Sequence, residues 1–449
     1  MNNRSTTRRD FLKTAGAAGA AVAAPLVIPS TVFANGEKPG ANERIAMASV
    51  GIGGKGSSDA SDASRGGEMV AICDVDEKRL EGAAKRYEGA KAYTDFRKML
   101  DEMGKSIDAV TVSTPDHTHA PAALMAMRMG KHCFCQKPLT RSIYEARVMG
   151  QVAKEMGVAT QMGNQGTSGG GLRKGAAMMR AGRLGKVSEV HVWTNRPVWP
   201  QGGERPAPQE PPAHLKWDLW IGPSPMRPYG PGYHPFSWRG WWDFGSGALG
   251  DMACHTANMP YMGLDLFDPV SVQATTSGHN RDSYPKWSVI EFEFPANDWR
   301  PAVKFFWYDG GKKPDAEQLG IDKIGGAGCI VVGSKGKLFS HGDYGGITKL
   351  YGNVDQSDEG LDYAKSPGHF REWILAIRGG EPARSNFPDF AGGLTETILL
   401  GNLAVWTANE PETEGPKVAW DAKNLKATNV EGLEEIVKPI YRDGYILDA

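Results

Sequence analysis

The stretch Ser49-Val-Gly51-Ile-Gly53-Gly54-Lys-Gly56 constrains this chain more than any other. It joins an apolar run, Arg44–Val50, to a small and polar run, Ser57–Ser64. That is the pattern of a buried strand followed by a helix packed close to its sheet. Gly51, Gly53 and Gly56 fit G-x-G-x-x-G, with Gly54 in the same loop. The first glycine of such a motif permits a tight turn, the second lets a pyrophosphate approach the backbone, and the third lets helix and strand pack. The helix N-terminus then presents N–H groups and a positive dipole end to phosphates.

With 57 glycines in the chain, the match alone is weak, and its context strengthens it. A second apolar run, Glu68–Cys73, ends in Asp74, 18 residues after Gly56. A dinucleotide fold keeps there the acid that binds the ribose hydroxyls. The bland alternative is a surface Asp opening a turn. A carboxylate at 74 repels a 2′-phosphate, which favours NAD over NADP. Lys78 and Arg79 are close enough to receive one, so NADP stays open.

From Arg44 to about Gln161 the pattern alternates strand and helix, as in a doubly wound parallel sheet. Its later strands are Ile107–Ser113, Lys131–Cys135 and Val158–Gln161. Ligands of such sheets bind beyond the carboxyl ends of the strands. Three loops therefore point at one crevice: 51–56, 113–119 and 136–140. After Gly163 the texture changes. Arg196–Gly245 is rich in Pro, Gly and Trp, and seven of the 13 tryptophans lie between Trp193 and Trp242. Runs at 188–195, 270–275, 288–294, 302–308, 329–332 and 336–340 predict a large, mostly antiparallel sheet, with helices over 172–180, 370–378 and 394–408. The division expected is 44–163 for the nucleotide-binding domain and 164–449 for a substrate and oligomerisation domain.

Residues 1–34 read as an export signal, followed by a polar linker, 35–43. Thr7-Arg8-Arg9-Asp10-Phe11-Leu12-Lys13 matches the twin-arginine pattern, an Ala/Gly-rich run follows, and Val32-Phe33-Ala34 offers a cleavage site. The apolar run is short and interrupted by Pro25 and Pro29, against a stable membrane span. The segment carries +3, so its removal takes the whole-chain charge from −1 to −4. Nothing in that balance suggests nucleic acid as a partner. Five scattered cysteines form no disulfide framework, and Cys133 and Cys135 read as core thiols rather than metal ligands. Twin-arginine export carries folded proteins with cofactor bound. Outside the cytoplasm a released NAD would not be replaced.

Two clusters carry chemistry. Gln136-Lys137-Pro138 follows a central strand into the crevice, where an ammonium can meet a substrate oxygen and the nicotinamide; its bland reading is a surface lysine. Gly245-Ser-Gly-Ala-Leu-Gly-Asp251-Met-Ala-Cys-His255 places Asp251 and His255 at i, i+4 on one helix face. A histidine there can take a hydroxyl proton, with the carboxylate orienting it or raising its pKa. Its bland reading is a helix-terminal Asp and a core His. No H-E-x-x-H pattern supports a metal site. His117 and His119 follow Ser113-Thr114-Pro115 into the crevice as caps or cofactor contacts. Trp217, Trp220, Trp238, Trp241 and Trp242, with Tyr229, Tyr233 and His234, are open to sugar stacking or to plain packing.

On Gly51-x-Gly53-x-x-Gly56, Asp74, Ser113-Thr114-Pro115 with His119, Lys137-Pro138 and Asp251-x-x-x-His255, the chain from Arg44 onward resembles the Gfo/Idh/MocA nicotinamide-dependent oxidoreductases. Trp217–Pro223 and Trp238–Gly245 look like an exported, sugar-directed branch. The resemblance implies a Rossmann domain plus an α/β domain with a large open sheet, a face that commonly builds dimers or tetramers. It implies that Lys137 binds the reacting hydroxyl oxygen, that His255 is general base, and that Asp251 orients His255 or the substrate. The Lys137–Pro138 peptide is often cis in the family. One departure stands out: Gln136 replaces the family's Glu.

The expectation is an exported NAD-dependent oxidoreductase acting on a secondary hydroxyl of a sugar or polyol, with its cofactor retained. Two rivals remain: a redox-neutral NAD-dependent glycosidase or lyase working through a 3-keto sugar, and a non-catalytic nucleotide-binding protein.

Overall fold

The computed structural model describes residues 44–448. The proposed signal and linker, 1–43, lie outside them. Ile45–Ala449 forms one compact unit.

Six strands build the first sheet: β1 (Ile45–Val50), β2 (Gly67–Cys73), β3 (Lys91–Tyr93), β4 (Ala109–Val112), β5 (His132–Cys135) and β6 (Thr160–Met162). Their order is β3-β2-β1-β4-β5-β6, and every pairing is parallel. The order reverses beside β1, so the crevice falls between the ends of β1 and β4. Ala109-Val-Thr-Val112 is wholly buried, as a central strand covered on both faces must be. The helix Ile143–Glu155 opens with a reciprocal capping box. Ser142 Oγ accepts from the Glu145 N–H at 3.4 Å, and Glu145 Oε2 accepts from the Ser142 N–H at 2.8 Å.

Nine strands build the second sheet: β7 (Val187–Trp193), β8 (Ser271–Thr276), β9 (Ser288–Phe294), β10 (Val303–Tyr308), β11 (Gly328–Gly333), β12 (Gly336–His341), β13 (Ile347–Gly352), β14 (Val418–Asp421) and β15 (Lys426–Ala427). The order is β13-β12-β11-β7-β10-β9-β8-β14-β15, antiparallel except for β7 with β10. The sheet is thus the large, mostly antiparallel one that the sequence predicts. β13, β14 and β15 are additions at its edges. β14 and β15 are short, and in β13 the polar residues Thr348 and Lys349 dilute the apolar alternation.

The chain returns to the first sheet near its end. The helix His369–Ile377 lays Phe370, Trp373 and Ile374 against Phe134 and Met47. Phe134 stacks on Phe370 at 4.2 Å between ring centroids. Farther on, Tyr441 donates to Glu145 Oε1 at 2.5 Å, and Arg97 donates to the Gly444 carbonyl at 3.0 Å. Among the described residues, no helix is long and apolar enough to cross a membrane.

Candidate active site

The glycine motif is held by close packing. Gly51 has φ +81°, and a Cβ there would lie 2.6 Å from the Ser113 carbonyl oxygen. A Cβ on Gly56 would lie 2.0 Å from the Gly51 oxygen. Neither position accepts a side chain without moving backbone. The helix Lys55–Ser64 starts at Gly54 without a side-chain cap, which leaves first-turn N–H groups available to a ligand phosphate. Asp74 is buried at the end of β2. Its Oδ2 accepts from the Ile52 N–H and its Oδ1 from the Asp76 N–H, both at 2.9 Å. Burial raises its pKa against those bonds and the Arg79 charge. Of the two basic candidates nearby, Arg79 lies over Gly53 and lines the cleft, while Lys78 gives its backbone N–H to Asp76. This cradle fits an adenine dinucleotide: two glycines that exclude Cβ atoms, a helix start without a cap, and an acid at ribose distance in sequence.

A cleft of about 1,550 Å³, including its open mouth, runs from Gly53, Gly54 and Asp74, past Ser113, Thr114 and Pro115, to Lys137, Asp251 and His255. Lys137, in the turn after β5, precedes a cis peptide to Pro138. Its Nζ donates to Asp251 Oδ1 at 2.7 Å and to the Asp251 carbonyl at 2.8 Å. An ammonium has three N–H groups, so one remains for a ligand. Asp251 and His255 lie on the buried helix Gly247–Thr256. Arg239 Nε sits 2.8 Å from Asp251 Oδ1, and its Nη1 donates to Asp116 Oδ1 at 3.3 Å. Burial would raise the pKa of Asp251, but Arg239 and Lys137 outweigh it and hold the carboxyl well below its usual range.

The Asp251 charge does raise the His255 pKa, as expected, though burial outweighs it; what it does not supply is a hydrogen bond to orient the ring. Both groups share a face, but the carboxylate is engaged by Lys137 and Arg239, and no hydrogen bond joins it to the imidazole. His255 Nδ1 is buried without a partner, and the Tyr344 ring meets the imidazole edge-on at 4.8 Å. Burial, and then the Lys137 charge, push the imidazole pKa well below its ordinary value. A buried unpaired nitrogen costs about 1–3 kcal/mol. His255 is therefore neutral, and it lines the cleft.

His117 and His119 do not reach into the cleft. His117 lies between the carbonyls of Phe244 (3.1 Å) and Trp220 (2.9 Å). His119 lies between those of Thr114 and Pro138, each at 2.9 Å, and so ties the two loops that flank Lys137. Gln136 Nε2 donates to Asp59 Oδ2 at 2.8 Å, and the same buried carboxylate takes Ser113 Oγ at 2.8 Å and Lys55 Nζ at 2.5 Å. A Glu at 136 would face that carboxylate, so Asp59 accounts for the glutamine. Most of the tryptophans pack. Trp217, Trp220 and Trp241 join Tyr229, Tyr233 and Phe244 in one cluster, and Trp242 stacks on Tyr284 at 3.8 Å. Trp199, Trp220 and Trp238, with His234 and Phe236, line the cleft. Arg239, Arg196, Asp59 and Tyr344 were not singled out by sequence. The one local signal was a basic residue inside Trp238-Arg-Gly-Trp-Trp. All five cysteines are buried free thiols, and no group of His, Cys, Asp and Glu among the described residues is arranged to hold a metal.

Residues 44–164 match the family model described as an oxidoreductase family NAD-binding Rossmann fold, and residues 181–298 match that family's C-terminal alpha/beta domain. The chain belongs to the Gfo/Idh/MocA oxidoreductases. Residues 5–25 match the twin-arginine translocation signal sequence. An inositol 2-dehydrogenase of Rubrobacter xylanophilus is 35% identical over 121 residues, 26% of this chain and 34% of that protein. A glycosyl hydrolase family 109 protein of Shewanella pealeana is 31% identical over 163 residues, 31% of this chain and 35% of that protein. The chain thus spans about a third of the length of these curated relatives. The WlbA dehydrogenase of Bordetella pertussis, solved with NADH and UDP-GlcNAcA, superimposes with a TM-score of 0.58 at 18% identity, covering 83% of this chain and 98% of that one. At that identity the likeness shows the fold.

Proposed function

We propose that this member of the Gfo/Idh/MocA family is an exported oxidoreductase, with NAD as the preferred cofactor, that acts on a secondary hydroxyl of a sugar or polyol. One observation carries the reading: a lysine with an unused N–H and a neutral, unpaired histidine share a cleft with a dinucleotide cradle. NAD, when bound, supplies the hydride acceptor. The chain's own groups do the rest. Lys137 donates to the substrate oxygen, which becomes a carbonyl oxygen. His255 takes the hydroxyl proton, a contribution typically worth about 10²–10⁴-fold. Asp251, kept ionised by Arg239, aims the ammonium and is a positioning residue. The inositol 2-dehydrogenase relative supports the substrate class. The twin-arginine match supports export to the periplasm or another extracytoplasmic space with cofactor already bound. Residues 44–163 would form the nucleotide domain and 164–449 the rest. The outer face of the second sheet, where His191 stacks on Phe306 at 4.9 Å, would build the dimer or tetramer.

The glycosyl hydrolase family 109 relative favours a second reading. Oxidation at a sugar C3 acidifies the C2 proton, loss of that proton expels the glycosidic oxygen from C1, water adds, and the hydride returns to C3. No net NADH forms. A panel of sugars, polyols and glycosides presented to the NAD-loaded protein separates the readings: nicotinamide reduction marks net oxidation, and cleaved glycoside without it marks the redox-neutral route. Neither product from any substrate, or turnover unchanged in Lys137→Ala, would overturn the catalytic assignment.

A further inference from the structure

Two histidines of the aromatic-rich segment converge on one carboxylate of the first sheet. Residues 214–216 run antiparallel to 75–77: the Glu77 N–H donates to the His214 carbonyl and the Lys216 N–H to the Val75 carbonyl, each at 2.9 Å. His214 Nδ1 then lies 3.0 Å from Asp76 Oδ1, and His234 Nε2 lies 3.1 Å from Asp76 Oδ2. A carboxylate only accepts, so both facing nitrogens carry protons. Asp76 is buried and belongs to no step derived above.

Between these anchors the chain forms the short helix Trp217–Ile221 and packs into the aromatic cluster. Leu219 and Trp220, together with Tyr445, border a small pocket, about 450 Å³ only when the open solvent at its mouth is included, beside Asp74 and Gly51, with Thr94 and Pro115 also in its wall. Arg442 secures this helix from the other side, donating to Asp218 Oδ1 at 2.7 Å and to the Gly222 carbonyl at 3.1 Å. The pocket continues the dinucleotide cradle beyond the ribose acid, its lining is mostly apolar, and a base ring would enter it only with the segment 214–234 moved outward.

We propose that residues 214–234 are a strap across the adenosine end of the cofactor site, that Asp76 latches it through His214 and His234, and that unlatching sets the rate at which NAD(H) leaves. This rests on the retained-cofactor reading above. Asp76 is a positioning residue: it holds the segment that covers the ligand and does not itself touch reacting atoms.

The test uses the full mature chain loaded with NADH and mixed with excess NAD as a trap, following loss of nicotinamide fluorescence. His214→Ala with His234→Ala removes both latch donors and is expected to release NADH at least ~10-fold faster. His214→Asn with His234→Gln returns an amide N–H to each position and is expected to restore slow release, which a merely structural lesion would not do. Asp76→Ala removes the shared acceptor and also the cap of the helix Glu77–Arg86, so it should release NADH at least as fast as the alanine pair. If it does not fold, the histidine variants still decide. An alanine pair that releases at the wild-type rate, or an Asn/Gln pair as fast as the alanine pair, overturns the latch. The ratio of rates tests the strap, whereas fast release by the wild type itself tests the retained-cofactor reading.

Discussion

Lys137 Nζ donates to both the side chain and the carbonyl of Asp251, at 2.7 and 2.8 Å. These two contacts fix the ammonium on the helix that carries His255 and leave one N–H pointing elsewhere. Replacing Lys137 with Met should therefore lower turnover at least ~100-fold while leaving NAD affinity within a few-fold. Asp251→Asn should do more than slow the reaction. It leaves Arg239 and Lys137 partly buried beside an uncharged group, a loss of about 3–5 kcal/mol for a broken buried pair. Calorimetry of the nucleotide-free protein would register it as a lower melting temperature, which Lys137→Met should not match.

The acid limb of the pH–rate profile reports His255. Burial and then Lys137 hold its pKa well below the ordinary value, so activity should persist as pH falls below about 6.5. Removing the Lys137 charge lets the histidine pKa rise, so the limb should move to higher pH in Lys137→Met. An unmoved limb would remove His255 as the proton acceptor.

His369 makes stability depend on pH in the same direction. Its Nε2 lies 2.7 Å from the Met162 carbonyl, and its Nδ1 faces Gln161 Nε2 and Ser168 Oγ. Burial lowers its pKa to about 4. A depressed histidine contributes stability that is present above the unfolded value near 6.5 and is lost as pH falls toward the folded one. Melting temperature should fall between about pH 6.5 and 4, and His369→Gln should flatten part of that slope.

Gln136 and Asp59 make a matched pair. Gln136→Glu sets a second carboxylate against Asp59 and should cost about 1–3 kcal/mol. Adding Asp59→Asn should recover most of it. A double-mutant cycle on thermal unfolding measures the coupling, and additive effects would show that the 2.8 Å contact is energetically idle.

Asp74 faces the ribose position with Arg79 beside it. Asp74→Ser removes the repulsion toward a 2′-phosphate and leaves the guanidinium, so the ratio of NADP to NAD affinity should rise at least ~10-fold on titration of stripped protein.

Features set by short spacing are legible in the sequence. Gly51, Gly53, Gly56 and Asp74 follow from a strand–turn–helix and the next strand. Lys137 follows from its place after a central strand, and Asp251 with His255 from helical periodicity. What escaped depends on crossings between distant segments. Arg239 reaches Asp251 and Asp116 only because the aromatic loop folds back over the helix Gly247–Thr256. Asp59 meets Gln136 across 77 residues, and Tyr344 reaches His255 from the turn between β12 and β13. The net downward shift of His255 escapes for the same reason, since burial by distant segments outweighs the Asp251 charge. Helical spacing places a carboxylate nearby, but tertiary structure decides whom it serves, and here it serves two cations. The aromatic segment has only a five-residue helix as its longest regular element, so neither strand nor helix periodicity could place it.

The most direct measurement is to purify the exported protein, denature it and determine the released nucleotide by mass. About one NAD(H) per chain is expected, carried through export and held under its strap. No bound nucleotide, together with only weak NAD binding on titration, would contradict this expectation.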